Sequence, residues 1–540
     1  MKRKSYYLFT IAVAVAMAFA GGCGRKTTSN GASAIGHLPG PQFTLVTSTT
    51  TLVQTLVPVE PAVNPADPNN IPPSVLQNFG KFTVNAGEDF HYRNDLGITG
   101  VTQAVPATAR SVIYFPLITD IHIMDAKSPM RFCDLDMIGS LQGAYRPQDG
   151  YTTQVLDAMI RTLNDFSKTR HYNFLIALGD TVDNTSTDEA RWFIGVLDGT
   201  VITPDSGKHV DIVPGPLNDP HDPFLPWGLD KQVPWYTTVG NHDGLVSGNF
   251  AVTDQYRSLA LGDEVYLGSE DGYGNIIPAG TKITPDVNRA LMGPVAYMQQ
   301  LFTTTTLPVG HGFSTANITG GYGDYAFDPD PSIPLRVIVL DWECRNGGDN
   351  GCIRANEVNN FLIPELDQAY NDNKLVIVAS HQYPDAIDSH SEITGTAFVN
   401  ILANYPNVIL HLVGHGHDNR IVPHAGLSAT QPGYWEIESS SLVDYPQQSR
   451  IIEVVDNGDG TGYIFATMVD HNSPAGSLPS VSRSLALEDI QLGNNTSGAE
   501  GTASDRNVEL AIRIPDKAEN ALKTTTLPAK IESQTTLKGL

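Results

Sequence analysis

The chain has 540 residues, 41% of them hydrophobic, so it can bury a large core and has room for more than one domain. Its 58 acidic side chains against 33 basic ones give a formal charge of −25. That field repels a polyanion wherever no basic patch overcomes it, which excludes a nucleic-acid polymer as the default partner.

Lys2, Arg3 and Lys4 precede an apolar run from Tyr6 to Phe19 that ends in Ala20-Gly21-Gly22-Cys23. A charged start, an apolar middle and small residues at the end are the parts of an export signal, and the run is short for a full membrane span. The segment closing on Cys23 resembles the lipobox of bacterial lipoproteins, in which the cysteine is lipidated and becomes the first mature residue; Ala20 stands where that pattern prefers leucine. The expectation is a signal peptide over 1–22, lipidation at Cys23, and an exported protein anchored to a lipid membrane on the periplasmic or cell-surface side. A simply cleaved signal or an uncleaved anchor are the competing readings.

Residues 23–40 are rich in Gly, Ser, Thr and Asn, as a flexible tether would be. Residues 41–109 form an accessory segment, Thr/Val-rich and partly strand-like at first, then turn-forming from Pro58 to Pro73. Periodicity does not decide between a small β domain and a wrapping extension.

The body spans 110–472. Ser111 to Ile118 is an apolar strand delivering Asp120 and His122 at its exit, Tyr151 to Phe166 carries an apolar stripe at helical spacing, and Phe174 to Leu178 is a strand ending near Asp180. A helix is expected over Asp188 to Leu197. Further strands are expected before Gly240, Asp341, His381 and Gly414, so the class is α/β with polar groups following strand ends. Long excursions at 125–149, 203–231 and 244–334 are candidates for a substrate rim, surface decoration being the alternative. Gly433 to Ser440, Ser449 to Val455 and Gly462 to Val469 alternate as antiparallel strands do, and Asp456 to Gly460 reads as a hairpin turn rather than a calcium loop. Residues 473–540 are a C-terminal extension whose role the sequence does not reveal.

Cys344 and Cys352 flank a Gly-rich stretch that could bring the thiols together, and in an oxidising compartment they form the expected disulfide. Cys133 is then unpaired.

Four clusters, Asp120-Ile121-His122, Gly179-Asp180-Thr181-Val182-Asp183, Gly240-Asn241-His242-Asp243 and Gly414-His415-Gly416-His417, together with His381, are enough to build a two-metal hydrolytic centre. Two ions about 3.5–4 Å apart can neutralise a phosphoryl group and generate a hydroxide nucleophile at neutral pH when an acidic ligand bridges them. Asp180 is the best candidate for that bridge. Asp120, His122, Asn241, His381, His415 and His417 supply oxygen and nitrogen ligands suited to Fe, Mn or Zn.

These motifs in this order resemble the calcineurin-like metallophosphoesterase superfamily over roughly residues 111–470. The resemblance implies a four-layer αββα sandwich with long insertions and hydrolysis of a phosphate monoester or diester by a metal-activated hydroxide. It implies that Asp120, His122 and His417 hold one divalent or trivalent ion and Asn241, His381 and His415 the other, with Asp180 shared. It also implies that His242 stays outside both metal shells as the catalytic imidazole, with Asp243 orienting it, and that Asp183 has a supporting role, holding a backbone turn or making a hydrogen bond behind the ligands. Asp183 stands where purple acid phosphatases carry an iron-binding tyrosine.

Arg420 and Arg131 are candidates to clamp a substrate phosphate, with an ordinary salt bridge as the alternative for each. A different class of function, a non-catalytic surface-binding or scaffold lipoprotein on the same fold, is the runner-up. Neither substrate, metal identity nor oligomeric state can be read from the chain.

Overall fold

The computed structural model describes residues 35–39, 50–59 and 79–530, apart from residues 137, 139, 140, 142, 169, 210, 429, 430 and 494–497. The expected export signal, Cys23 and most of the expected tether lie outside the described residues. In chain order the strands are β1 (Gln54–Pro58), β2 (Phe82–Ala86), β3 (His91–Arg93), β4 (Arg110–Ile118), β5 (Leu175–Ala177), β6 (Trp235–Thr237), β7 (Ser269–Glu270), β8 (Ile276–Ile277) and β9 (Tyr325–Phe327). They continue with β10 (Leu335–Val339), β11 (Leu375–Ala379), β12 (Val408–Val413), β13 (Arg420–Ser428), β14 (Gln431–Glu438), β15 (Gln448–Asp456), β16 (Thr461–Asp470) and β17 (Val508–Arg513).

Two large sheets dominate this α/β fold. One has the order β3-β17-β16-β15-β4-β5-β6 and the other β13-β14-β12-β11-β10-β9. In the first, β4, β5 and β6 run parallel; in the second, β10, β11, β12 and β14 do. Parallel strands covered on both faces need continuous apolar sequence. Every residue of β11 and β12 is accordingly buried.

Alternation along β10 and β11 shows the layering. Leu335, Val337, Val339, Leu375, Ile377 and Ala379 join the core between the sheets, shared with β4 and β5. Their neighbours Ile338, Val376 and Val378 face the opposite way, onto Leu366 of helix Ile363–Asn371 and Phe398 and Leu402 of helix Gly395–Ala403. The helix Thr152–Ser167 covers the other sheet with Val155, Met159, Ile160, Leu163 and Phe166. Each such side chain contributes about 1.5–3 kcal/mol by leaving water. The helix Thr187–Asp198 starts in a Ser186/Glu189 capping box and stops at Gly199, whose φ of 67° suits glycine.

The three alternating segments near the C-terminus divide between the sheets. β15 and β16 form an antiparallel hairpin in the first sheet, whereas β14 joins the second, parallel to β12 and antiparallel to β13. Alternation fixes which face of a strand is buried but not which sheet receives it. Strands from both ends of the chain complete the first sheet, where β17 pairs with β16 on one side and β3 on the other. Cys344 and Cys352 are joined as a disulfide, and Cys133 is a buried free thiol.

Candidate metal centre

The carboxyl ends of the parallel strands of both sheets converge on one cavity, where open α/β sheets bind ligands. Asp120 and His122 follow β4, Asp180 follows β5, Asn241 and His242 follow β6, His381 follows β11, and His415 and His417 follow β12. The turns that redirect these side chains are unusual. Asp120, His122, Asp180, His415 and His417 all have positive φ, between 47° and 74°. Such backbone costs a non-glycine residue on the order of 1–3 kcal/mol and persists where surrounding contacts over-determine it. Close packing enforces it here: a Cβ on Gly240 would lie 2.1 Å from Asp180 Oδ1, and one on Gly414 2.1 Å from Thr119 Oγ1.

Three groups of ligand-type atoms lie within 4.8 Å of one another around the cavity: Asp120, His122 and His417; Asp180, His381 and His415; and His122, Asp183 and His242. Asp180 Oδ2 is 3.0 Å from His381 Nε2 and 3.7 Å from His122 Nε2, so its carboxylate faces the first two groups at once. Asp120 Oδ1 is 3.4 Å from His417 Nε2 and 3.8 Å from His381 Nε2. Asn241 lines the same cavity, its amide nitrogen donating to Gly248 O at 3.1 Å. Burial and His242 lower the His122 imidazole to about 4, and burial and His381 lower His415 to about 3. Burial alone would raise the Asp120 carboxyl, but His417 and His381 bring it down to about 2.

The outward nitrogen of each ring has its own partner. His122 Nδ1 donates to Asp183 Oδ1 at 3.0 Å, His381 Nδ1 to Leu178 O at 2.6 Å, and His417 Nδ1 to Asp444 Oδ2 at 2.6 Å. These bonds fix the rings and turn the Nε2 atoms inward; burial alone would lower His381 and His417, but Asp180 raises the first to about 9 and Asp120 the second to about 10. His242 Nδ1 donates to the Asp183 backbone carbonyl at 2.6 Å, and its side chain is 18% exposed where those of His122 and His381 are 1% and 0%. His417 is equally exposed and also lines the cavity, but His242 lies outside the two groups built on Asp120 and Asp180.

Three expectations change. Asp243 does not orient His242; its carboxylate accepts from Thr181 N and Oγ1, Val182 N and Gly240 N, tying the β5 and β6 loops together. The adjacent carboxylate points back into the loops, and Asp183 supplies the partner instead. Arg131 is buried away from the cavity, between Asp183 and Asp149, the latter at 2.6 Å. Arg420 is bound to Glu438 at 2.8 Å and stacked over Tyr383, outside the cavity lining. Asp183 takes the supporting position expected of it.

Sequence reasoning missed Asp444, Arg146 and Thr119. Thr119 Oγ1 donates to Asp120 Oδ2 at 2.6 Å, and Arg146 pairs with Asp444 at 2.9 Å. Asp444 sits in no short motif, and only its place six residues past β14, a parallel strand, could have marked it. Of the long excursions, 125–149 and 244–334 reach the cavity through Arg146 and Ser247, whereas 203–231 contributes nothing to its lining among the described residues.

The sequence model of the calcineurin-like phosphoesterase family matches residues 115–419. The chain belongs to that family. Among solved structures it is similar to a dimetal phosphatase from Danio rerio, with 12% identity, a TM-score of 0.37, and coverage of 67% of this chain and 100% of that one. A comparison with curated proteins finds no match.

Members of this phosphoesterase family use dinuclear metal centres, and the residues here suit one. His122 Nε2 and His417 Nε2 lie 3.3 Å apart, with the Asp180 and Asp120 carboxylates beside them. His381 Nε2 is buried 3.0 Å from Asp180 Oδ2 without an aligned hydrogen bond. Imidazole nitrogens and carboxylate oxygens gathered at this spacing are a donor set suited to a cation between them.

Proposed function

We propose that this phosphoesterase hydrolyses a phosphate monoester or diester with two ions, one held by Asp120, His122 and His417 and the other by Asn241, His381 and His415, with Asp180 shared. The observation that carries the reading is the position of Asp180 Oδ2, between His381 and His122. Imidazole and carboxylate donors suit Fe, Mn or Zn. When bound, the ions would neutralise phosphoryl charge and supply the nucleophile at neutral pH.

The chain's own residues do the rest. Asp183 anchors His242 through Nδ1, which leaves Nε2 as the atom to hold or release a proton at the leaving oxygen. Asp243 keeps the two ligand loops in register through its four hydrogen bonds. The test is turnover after metal reconstitution across monoesters, diesters, nucleotides and lipid phosphates. Bound metal with no turnover on any of them would favour the scaffold reading.

We also propose that the protein is exported and lipid-anchored through Cys23. The support is the sequence of residues 1–23. No helix among the described residues is long and apolar enough to cross a membrane. Mass spectrometry of the mature amino terminus checks this, and an unmodified Cys23 would reject it.

A further inference from the structure

We propose that Arg146 is a substrate ligand that grips one non-bridging phosphoryl oxygen, and that the cavity it lines accepts a single phosphoryl group on a compact, uncharged alcohol. The inference rests on the hydrolytic reading above.

The cavity beside the candidate metal ligands has a volume of about 280 Å³. That is below the usual range for drug-sized ligands, roughly 300–1,000 Å³. Arg146 is the only lysine or arginine lining it among the described residues, together with His122, His417 and His242. The side chain is nine-tenths buried, and its ends are unequally engaged. Nε lies 2.9 Å from Asp444 Oδ1 as an ion pair without an aligned hydrogen bond, and Nη1 donates to Gly143 O at 2.9 Å, while no hydrogen bond holds Nη2 among the described residues. A Cβ at position 143 would lie 2.2 Å from Nη2, so the glycine leaves the guanidinium its place.

A planar fork anchored by one hydrogen bond and one ion pair, with Nη2 left over, is prepared for an anion. The charge balance of the lining limits that anion to one phosphoryl group. Asp349, Asp183 and Asp444 also border the cavity, and among the described residues no second lysine or arginine answers a further phosphate. Leu141, Tyr445, Ile490 and Ala499 provide an apolar portion of the wall for the alcohol. Two of these, Ile490 and Ala499, come from the C-terminal extension, which thereby shapes the substrate end of the site.

Arg146 also contacts Asp444, the partner of His417, so a purely structural role must be separated from binding. The experiment uses the metal-loaded chain, with inorganic phosphate binding measured by calorimetry alongside metal content and turnover. Arg146→Gln should weaken phosphate binding and raise KM by roughly tenfold or more at unchanged metal content, since it removes a hydrogen bond to a charged group. Arg146→Lys should recover part of the loss. Unchanged phosphate affinity, or loss of affinity only together with metal, would overturn the assignment. KM should be lower for phenyl phosphate than for adenosine diphosphate, and the reverse order would overturn the single-phosphoryl part. Phosphate binding that depends on Arg146 in a protein with no turnover would sustain the ligand and sink the hydrolytic reading, so the two fail separately.

Discussion

The carboxylate of Asp444 takes the Nδ1 hydrogen of His417 at 2.6 Å, from a loop 27 residues further along the chain. A carboxylate behind a ligating imidazole fixes the ring and raises its basicity, and removing such a partner typically costs 10–100-fold in metal affinity. Asp444→Asn should therefore weaken binding of one ion by about that factor, read by competition with a chromophoric chelator. An unchanged affinity would contradict the place given to His417.

Asp180 presents its carboxylate to both groups of imidazoles. Asp180→Asn should remove metal and turnover together, measured by elemental analysis and a phosphoesterase assay on the same sample. Full occupancy of two ions in that variant would remove the case for a shared ligand.

His242 makes the opposite prediction. Its Nδ1 is held by the Asp183 carbonyl and its ring borders the cavity. His242→Ala should keep metal content nearly intact while lowering kcat by roughly 10²-fold or more. Loss of both ions would place the ring among the metal ligands instead.

The sequence shows most of this centre because it lies in short motifs at the ends of apolar strands. Asp120, Asp180, Asn241, His381, His415 and His417 come to one place because each follows a parallel strand. What lay beyond reach was direction. Asp243 adjoins His242 in sequence, yet the β6 turn aims its carboxylate at Thr181, while the partner of His242 arrives from the β5 loop. Arg131 and Arg146 look alike as insertion arginines, but one is enclosed between two aspartates and the other borders the cavity. In the same way, the Ser/Gly/Ala-rich tail hid β17, because a central strand in a sheet formed late in the chain needs no long local signal.

The disulfide between Cys344 and Cys352 closes a short loop that includes Asp349 at the cavity mouth. A loop of this size constrains the unfolded chain by roughly 2–3 kcal/mol in the entropic account. Mild reduction should speed hydrogen exchange over residues 344–352 and leave metal content unchanged. Release of the ions on reduction would show that the loop supports the centre itself.

Acid stability depends in part on Glu436. Burial alone would raise its carboxyl, but hydrogen bonds from His411 and His424 outweigh that and hold it at about 2 against an ordinary 4.5. His424 Nε2 lies at 2.9 Å, with His411 Nδ1 and Arg420 Nη2 at 3.4 Å. A depressed carboxyl contributes stability that is complete above its ordinary pKa and disappears as the pH falls through the folded-state value. Urea midpoints of the chelator-treated protein should therefore drop between about pH 4.5 and pH 2, and Glu436→Gln should flatten that drop. An equal slope in the variant would assign the acid sensitivity elsewhere.

The pairing of β3 with β17 ties residues 91–93 to residues 508–510. Among the described residues β17 is the only strand paired with β3, so during synthesis this edge of the first sheet can close only after β17 has been made. A protease cut that frees the last strand would unfasten the amino-terminal segment as well and uncover the backbone edge of β16, which is a template for association with another chain. The edge strand β3 thus depends on β17 for its place in the sheet.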